Sequence, residues 1–286
     1  MKITVLGELH PEIGLAFALI QTPKIQALRK ILQGNKTAQA VLLKRITQTQ
    51  SVIRAFQKET ANSLNAMQKA NPDLYLVEGV EKQYIGRLMR LPYLAMTKRD
   101  ASIAKETDAL AKAYVAYAKL YTENYETFEY RLPRKILSAI AWAPMKAMRL
   151  AEILTGIELL DVKIIEATEK YTSPKYKIRE IPAILNIIGK IRAKKKNRIL
   201  VITGTEHAKF YKTILDIAGY ETQDATMLTR EESRELIKAM NRTDSLFEEK
   251  AIAADLRKAG IPAKEAGMLA RDFRYNEKKE QTCLDY

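Results

Sequence analysis

The chain is poor in the residues that carry most thiol and imidazole chemistry, since its 286 residues include one cysteine, one tryptophan and two histidines. The single cysteine, Cys283, excludes an intrachain disulfide and a zinc site built from cysteines, and it fits a reducing cytosol. Long hydrophobic runs are also missing. The longest charge-free apolar stretch, ILSAIAWAPM over 136–145, is too short to span a bilayer, and the first residues lack the apolar region of a signal peptide. These absences predict a soluble cytoplasmic protein without a transmembrane segment.

The chain is basic, with 48 Lys and Arg residues against 34 Asp and Glu and a formal net charge of +14 at pH 7. A charge of this sign attracts nucleic acid or an anionic membrane. However, the cations are scattered beside acidic residues, as in YKIREIPAI over 176–184. The one dense cluster, RAKKKNR over 192–198, is interpreted as a solvated basic helix end. Because no binding motif and no interleaving of aromatic and basic residues is visible along the chain, nucleic acid is not the expected partner.

Three apolar runs predict the strands of a sheet. They are KITVLG over 2–7, LYLVEG over 74–79 and RILVITG over 198–204. Each is continuous rather than alternating, as expected for parallel strands that are covered on both faces. A weaker run, LLDVKII over 159–165, predicts one further short strand.

The segments between and after these strands have the apolar spacing and the breaks of helices. Together they predict an α/β fold: a small, mostly parallel sheet with a large helical insertion and a helical C-terminal region. We expect a single domain whose parts are a sheet core at about 1–80 and 196–228, an insertion at about 81–195, and C-terminal helices at about 229–286.

Aromatic residues recur every three or four positions in the predicted insertion, at Tyr114, Tyr117, Tyr121, Tyr125 and Phe128. This spacing predicts one aromatic stripe on a single helix. A helix buries such a stripe by default, so we expect core packing. The alternative is a lid whose aromatic side chains line a substrate entrance.

The two histidines occupy nearly the same short phrase. His10 ends GELH (7–10) and His207 ends GTEH (204–207), so each lies three residues after a glycine that closes an apolar run. Glycine lets the backbone turn sharply out of a strand, and the third residue after it lies at the start of the next helix. Pro11 makes His10 the boundary residue of that helix. The N-terminus of a helix favours neutral imidazole, the form that a metal ligand or a general base requires.

A glutamate, Glu78, ends the second predicted strand in the phrase LVEG (76–79). If the three strands are parallel neighbours, their carboxyl ends bring His10, Glu78 and His207 together, where α/β sheets bind ligands. Each residue also has a structural alternative. Glu78 alone is suited to capping a helix or pairing with Lys82, and a lone histidine beside a strand is commonly a hydrogen-bonded core residue.

The ordered phrases GELH, LVEG and GTEH resemble the TraB/PrgY/Tiki family, which belongs with the erythromycin-esterase-like and ChaN-like proteins in one broad superfamily. The resemblance covers the sheet core and leaves the helical middle unassigned. The family also carries a basic residue in an Arg-Asp or Arg-Asn phrase that opens a helix. KRDASIAKE over 98–106 offers Arg99 and Asp100, although it precedes the second G-x-x-H phrase by more than the family pattern leads us to expect.

The resemblance implies a hydrolase acting on a peptide or a small ester. Tiki-like members are divalent-metal-dependent peptidases, which here implies His10 and His207 as ligands of Mn, Co or Zn and Glu78 as third ligand or general base. Two imidazoles and a carboxylate suit these metals, which lower the pKa of a bound water and polarise a carbonyl.

The carboxylates Glu8 and Glu206 are reserve metal ligands, and their alternative role is to stabilise a helix N-terminus. Arg99 is the remaining catalytic candidate. Two other classes of function stay open. A metal-independent esterase-like hydrolase would use one histidine as base and Glu78 to orient it, whereas a non-enzymatic protein would use the same pocket to bind a ligand such as haem or a peptide signal. The oligomeric state is not predicted.

Overall fold

The computed structural model describes residues 1–36, 38–78, 85–122, 124–128, 162–172 and 177–282. The apolar stretch at 136–145 and Cys283 therefore lie outside the described residues. Among the helices that are described, none combines the length and the apolar content that crossing a membrane requires.

Strands and helices alternate along the described chain. The strands are β1 (Lys2–Glu8), β2 (Leu74–Val77), β3 (Tyr125–Thr127), β4 (Arg198–Gly204) and β5 (Glu221–Asp224). The α-helices are α1 (Pro11–Ile31), α2 (Gln39–Ala70), α3 (Ile85–Lys98), α4 (Ala104–Tyr121), α5 (Val162–Tyr171), α6 (Lys177–Lys194), α7 (Thr205–Ile217), α8 (Arg230–Ser245), α9 (Glu249–Lys258) and α10 (Ala263–Thr282).

The strands form one parallel sheet in the order β3-β2-β4-β1-β5. β4 lies at the centre and pairs with β1 along its whole length, from Lys2 opposite Arg198 to Glu8 opposite Gly204. The α/β fold and the parallel pairing of the three predicted strands are confirmed. Their continuous apolar sequences follow from this position, because β1, β2 and β4 are buried along almost their entire length.

The chain divides into two compact units. The first contains the sheet and comprises Met1–Leu9, Asn62–Ile85 and Tyr117–Arg230. The second is helical and comprises His10–Ala61, Gly86–Ala116 and Glu231–Tyr286.

The core of the first unit lies on one face of the sheet. Side chains of a strand alternate between faces, and the odd-numbered residues of β1 and β4 and the even-numbered residues of β2 pack here against α5, α6 and α7. The aromatic ring of Tyr211 on α7 lies at the centre of this core, 5.7 Å from the ring of Phe128 and 5.4 Å from that of Phe210.

The core of the second unit includes helices that the sequence correctly places at the C-terminus. α10 packs against α1 and α9. A fully buried arginine, Arg45, lies in this unit, where it pairs with Asp255 and donates to the carbonyl groups of Val41 and Leu246. These contacts satisfy a cation that would otherwise be costly to bury.

Some sequence predictions of local structure are wrong. The predicted strand at 159–165 is helical from Val162 onward, and 159–161 lies outside the described residues. The aromatic stripe does not lie on one helix, because α4 ends at Tyr121 and Tyr125 belongs to β3. Burial of the aromatic side chains Tyr114, Tyr117, Tyr125 and Phe128 is confirmed.

Two strands are absent from the sequence prediction. β3 and β5 are the outer strands of the sheet, with three and four residues. β5 has the sequence ETQD and is mostly exposed, so it has no apolar pattern to reveal it. Both strands form because they pair with an inner strand, which is a long-range contact that local sequence does not encode.

Candidate functional site

Two buried glutamates flank the central strand where the strands end. Glu8 is the last residue of β1 and lies opposite Gly204 of β4. Glu78 directly follows β2, and its N–H donates to the carbonyl of Ile202 on the other side of β4. Glu8 and Glu78 are 2% and 4% exposed, and their strands are parallel, so both backbones lie at the end of the sheet where the sequence places the site. We call this the carboxyl end of the sheet.

The pleat of the sheet separates these two side chains. Glu8 has the parity of Thr4 and Leu6, whereas the residues of β1 in the core under α5, α6 and α7 are Ile3 and Val5. Glu78 has the parity of Leu74 and Leu76, which do belong to that core. The two carboxylates therefore leave the sheet on opposite faces, although their backbones are close.

The Glu78 carboxylate binds the turn between β4 and α7. Its Oε2 atom accepts a hydrogen bond from the Gly204 N–H at 2.5 Å and another from the Thr203 hydroxyl. Gly204 is the N-cap residue of α7, so Glu78 stabilises the start of this helix from a neighbouring strand. One of the two carboxylate oxygens of Glu78 therefore binds the N-terminus of a helix, which is the structural alternative given above for this residue.

The second histidine forms a buried pair that involves a different glutamate. His207 lies in the first turn of α7, and its Nδ1 atom is 2.8 Å from Oε1 of Glu180. The side chains of His207 and Glu180 are 6% and 4% exposed. The other carboxylate oxygen, Oε2 of Glu180, has no hydrogen-bond partner among the described residues. A buried carboxylate with one oxygen on an imidazole is an arrangement that fixes which ring nitrogen carries the proton.

Two helix N-termini create this pair. α6 begins at Lys177 with Glu180 in its first turn, and α7 begins one residue after β4. α6 is anchored near β3 because Asn186 donates to the Phe128 carbonyl at 2.8 Å and Lys190 pairs with Glu126 at 2.5 Å. The partial positive charge of the two helix ends favours an anionic carboxylate and opposes a second cation beside it.

Aromatic packing holds the imidazole in place. The His207 ring lies 6.2 Å from the ring of Tyr211, one helical turn further along α7, with an interplanar angle of 32°.

Gly7, near the end of β1, permits α7 to approach this strand, because a Cβ atom on Gly7 would lie 2.6 Å from the Cβ of Ala208. Close approach is therefore the physical reason for glycine in the first G-x-x-H phrase.

A second buried pair lies on the other face of the sheet. The hydroxyl of Tyr117, near the end of α4, donates to Oε1 of Glu8 at 2.6 Å. Tyr117 is 2% exposed, and it is one of the aromatic residues that the sequence assigned to a core stripe. Its polar end therefore satisfies a buried carboxylate while its ring fills the core.

The remaining candidates are Glu206, His10 and Arg99. Glu206, in the first turn of α7, forms an ion pair with Arg230 and is partly exposed. His10 and Arg99 belong to the second unit. His10 is the N-cap residue of α1 with Pro11 after it, which confirms the predicted helix boundary, but its side chain makes no capping hydrogen bond.

The Arg-Asp phrase opens a helical segment, and both of its side chains are engaged within the second unit. Arg99 pairs with Asp108 through two contacts of 2.8 Å. Asp100 is buried, caps the turn that precedes α4 by accepting from Ser102, and accepts two hydrogen bonds from Arg29.

The donor atoms of the described residues do not make a ready metal site. Among them, no group of three or more His, Cys, Asp or Glu side chains is arranged to hold a metal ion. Oε2 of Glu78 accepts two hydrogen bonds, Nδ1 of His207 is bonded to Glu180, and Glu8 leaves the sheet on the opposite face. The structure thus brings the predicted residues Glu78 and His207 to one face of one unit without forming a complete ligand set.

Sequence reasoning missed Glu180 and the polar role of Tyr117. Glu180 lies in YKIREIPAI, where the sequence shows only that acidic residues neighbour basic ones, and the structure shows that its side chain is buried. The sequence does contain a signal for the burial of Glu180, because the carboxylate comes directly before a helical segment that is almost entirely apolar and buried. The apolar residues of this segment are 181, 183–185, 187, 188 and 191.

Comparison of the chain with known protein families, with curated proteins and with solved structures finds no match. The resemblance to the TraB/PrgY/Tiki family therefore stays a prediction that rests on three short phrases.

Proposed function

We propose that the protein is a hydrolase in which His207 is the general base and Glu180 orients it. The observation that carries this proposal is the buried 2.8 Å hydrogen bond between His207 Nδ1 and Glu180 Oε1. When the Nδ1–H group donates a hydrogen bond to the carboxylate, Nε2 is the unprotonated and basic nitrogen of the ring. This division of roles between a base and its orienting carboxylate recurs in many acyl-transfer sites.

The proposed reaction is the attack of water on an ester or peptide carbonyl. Nε2 of His207 takes a proton from the water as its oxygen forms a bond to the carbonyl carbon. Glu180 stabilises the imidazolium that results, because its carboxylate is buried and already bonded to Nδ1. When the carbon–heteroatom bond breaks, the imidazolium returns the proton to the leaving oxygen or nitrogen, so the base is regenerated.

This proposal changes the partner of the histidine. The sequence suggested Glu78 as the orienting carboxylate, whereas Glu78 binds the turn before α7 and Glu180 binds the imidazole. The metal-dependent form of the reaction stays a prediction from the resemblance, and a carboxylate on Nδ1 is also how proteins orient metal-bound histidines. The experiment must therefore separate these two forms.

The test is a comparison of Glu180→Gln with Glu206→Gln. Wild-type protein is assayed with p-nitrophenyl esters and with fluorogenic peptides. Glu180→Gln should lower kcat by about 100-fold or more with little change in KM, because a neutral amide no longer stabilises the imidazolium. Glu206→Gln is the matched control, since Glu206 lies one residue before His207 but pairs with Arg230 at the surface. It should change kcat by less than about twofold.

Several results would contradict the proposal. Wild-type protein that hydrolyses no ester or peptide faster than buffer would remove it, as would full activity of Glu180→Gln. Activity that disappears on exhaustive chelation and returns with Mn, Co or Zn would replace the general-base mechanism with the metal-dependent one. A tightly held ligand that co-purifies with an inactive protein would favour the binding class.

A further inference from the structure

A cavity of about 500 Å³ lies on the face of the sheet opposite the core under α5, α6 and α7. It is lined by Thr4 of β1, by the last turn of α2, which includes Ala66 and Lys69, and by β5 with the residues that follow it. All of its lining residues belong to the first unit. The volume falls within the range of about 300–1,000 Å³ that is typical of sites for small molecules. We call it the Thr4 cavity.

Thr4 is a buried polar residue whose hydroxyl group is not satisfied by the protein. The residue is 7% exposed and lines the cavity, and its hydroxyl forms no hydrogen bond with any described residue. By contrast, the hydroxyl of Thr226, near the same edge of the sheet, accepts a hydrogen bond from the Gly7 N–H at 3.0 Å. A buried hydroxyl without a partner costs free energy, which a hydrogen bond to a ligand recovers. Thr4 therefore indicates that a polar group of a ligand reaches the inside of the cavity.

Three cationic side chains line the cavity, and two of them are available to a ligand. Lys2 and Arg198 are opposite each other on neighbouring strands, so their Cα atoms lie about 4.8 Å apart and their side chains share a face. Arg198 is neutralised by Asp73, whose Oδ1 atom lies 2.8 Å from Nη2 of the arginine. Lys2 and Lys69 form no ion pair within the described part of the chain. Their ammonium groups can therefore bind two anionic groups of a ligand.

The lining also carries negative charge, which comes from Asp224 and from the end of α2. Asp224 is exposed, and its Oδ1 atom accepts a hydrogen bond from the Thr226 N–H at 2.8 Å. α2 ends at Ala70, which lines the cavity, and a helix C-terminus carries partial negative charge. Glu221 lies opposite Lys2 on β5, but it forms no ion pair with that residue and does not line the cavity. Charges of both signs in one lining fit a ligand that itself carries both signs.

We propose that the Thr4 cavity binds a free acidic amino acid, L-aspartate or L-glutamate. The two carboxylates of this ligand bind the ammonium groups of Lys2 and Lys69, and one carboxylate oxygen accepts a hydrogen bond from Thr4. The ammonium group of the ligand binds Asp224. Two carboxylates and one ammonium group thus match two available cations and one carboxylate of the lining. The proposal is independent of the proposed hydrolase, because neither His207 nor its partner lines the cavity.

The experiment is isothermal titration calorimetry of the full chain with L-aspartate and L-glutamate. At least one of them should bind with a Kd of about 1 mM or lower. Each is compared with the diacid that lacks the amino group, succinate or glutarate, and with the amide that lacks one carboxylate, L-asparagine or L-glutamine. Both kinds of analogue should bind at least about tenfold more weakly, because each leaves a charged group of the lining without its partner.

Four variants test the roles of the lining residues. Thr4→Val keeps the shape of the side chain and should raise Kd by about fivefold, because one hydrogen bond is lost. Lys2→Gln and Lys69→Gln should each raise Kd by about tenfold, because each removes a charge-assisted contact. Asp224→Asn keeps the Oδ1 acceptor for the Thr226 N–H. It should raise Kd for the amino acid by about tenfold but should not weaken binding of the matching diacid, which has no ammonium group.

The chain offers a matched control for each type of change. Thr222 lies on β5 opposite Ile3, so its side chain is on the other face of the sheet, and its hydroxyl donates to Asp216. Lys209 on α7 is an exposed lysine of the same unit that does not line the cavity. Thr222→Val and Lys209→Gln should leave Kd within about twofold. Circular dichroism melts show whether each variant is folded, and Lys69→Gln, an exposed change at a helix end, tests the site even if Thr4→Val does not fold.

The other outcomes overturn the proposal. They are no binding of either acidic amino acid at concentrations up to about 10 mM, and binding that is unaffected by both Thr4→Val and Lys69→Gln. Diacids that bind as tightly as the amino acids would show that the ammonium group is not recognised. Inorganic phosphate that binds more tightly than either amino acid would assign the cavity to a simple anion.

Discussion

The pair formed by His207 and Glu180 predicts a specific thermodynamic coupling. In His207→Ala the buried Glu180 carboxylate loses its one hydrogen bond, because its other oxygen has no partner among the described residues. An uncompensated buried charge costs several kcal/mol, so we expect a loss of about 3 kcal/mol in the free energy of unfolding. Glu180→Ala strands only a neutral N–H group and should cost about 2 kcal/mol.

The double variant contains neither stranded group. It loses the packing of both side chains but carries no unpaired charge, so we expect a total cost of about 3 kcal/mol rather than the additive 5, and a coupling energy of about 2 kcal/mol. These values mean that the pair contributes to stability as well as to the proposed chemistry. The burial of the pair agrees with this, since His207 is 5% exposed.

The measurement is urea-induced unfolding of the four proteins, followed by circular dichroism. A second cycle on Glu206 and Arg230 is the control, because Glu206 lies in the same helix turn as His207 but this ion pair is more exposed, with side chains 27% and 53% exposed. Its coupling energy should stay below about 1 kcal/mol. A coupling energy below about 0.5 kcal/mol for His207 and Glu180 would show that they are not a buried hydrogen-bonded pair, and the proposed function would lose its basis.

Two further predictions concern stability. Gly7→Ala should destabilise the protein by about 1–3 kcal/mol, because the new Cβ would lie 2.6 Å from the Cβ of Ala208. Gly267→Ala on α10 should stabilise it by about 0.5–1 kcal/mol, because the new Cβ would meet nothing within 4 Å. Thermal melts of both variants test this contrast. Burial alone would raise the pKa of Asp100, but its hydrogen bonds, first those from Arg29, outweigh burial and lower that pKa. The contribution of the Asp100 carboxylate to stability is therefore present above about pH 4 and lost as the pH falls through the lowered pKa. The difference in Tm between wild type and Asp100→Asn should consequently shrink below about pH 4. A difference in Tm that is constant with pH would contradict this.

The sheet core could be predicted from sequence because its signal is local. β1, β2 and β4 are continuous apolar runs, and a run of this kind has few other solutions than an inner parallel strand. The outer strands could not be predicted, since β5 is polar and forms only by pairing with β1. Local patterns report burial, whereas edge pairing is decided by contacts between distant segments.

The sequence indicates at which end of the sheet the candidate residues lie, but it does not indicate which side chains meet there. The sequence correctly places Glu8 and Glu78 where strands stop, but which face each side chain takes depends on strand register and parity. Glu180 is distant in sequence from every phrase that drew attention. It becomes part of the site only through a tertiary contact, because the N-terminus of α6 lies beside that of α7.

The two G-x-x-H phrases also show why similar sequence did not give similar structure. In GELH the strand continues through Glu8, which pairs with Gly204, and Pro11 keeps His10 out of the helix, so α1 begins only after the histidine. In GTEH no proline intervenes, and α7 begins directly after Gly204 with His207 already in its first turn. The helix thus starts three residues earlier relative to the glycine. The acidic residue of the first phrase is consequently a buried strand residue, whereas that of the second lies at the surface. The two histidines therefore occupy different backbone positions, because His10 precedes its helix as the N-cap residue and His207 lies within the first turn of its helix.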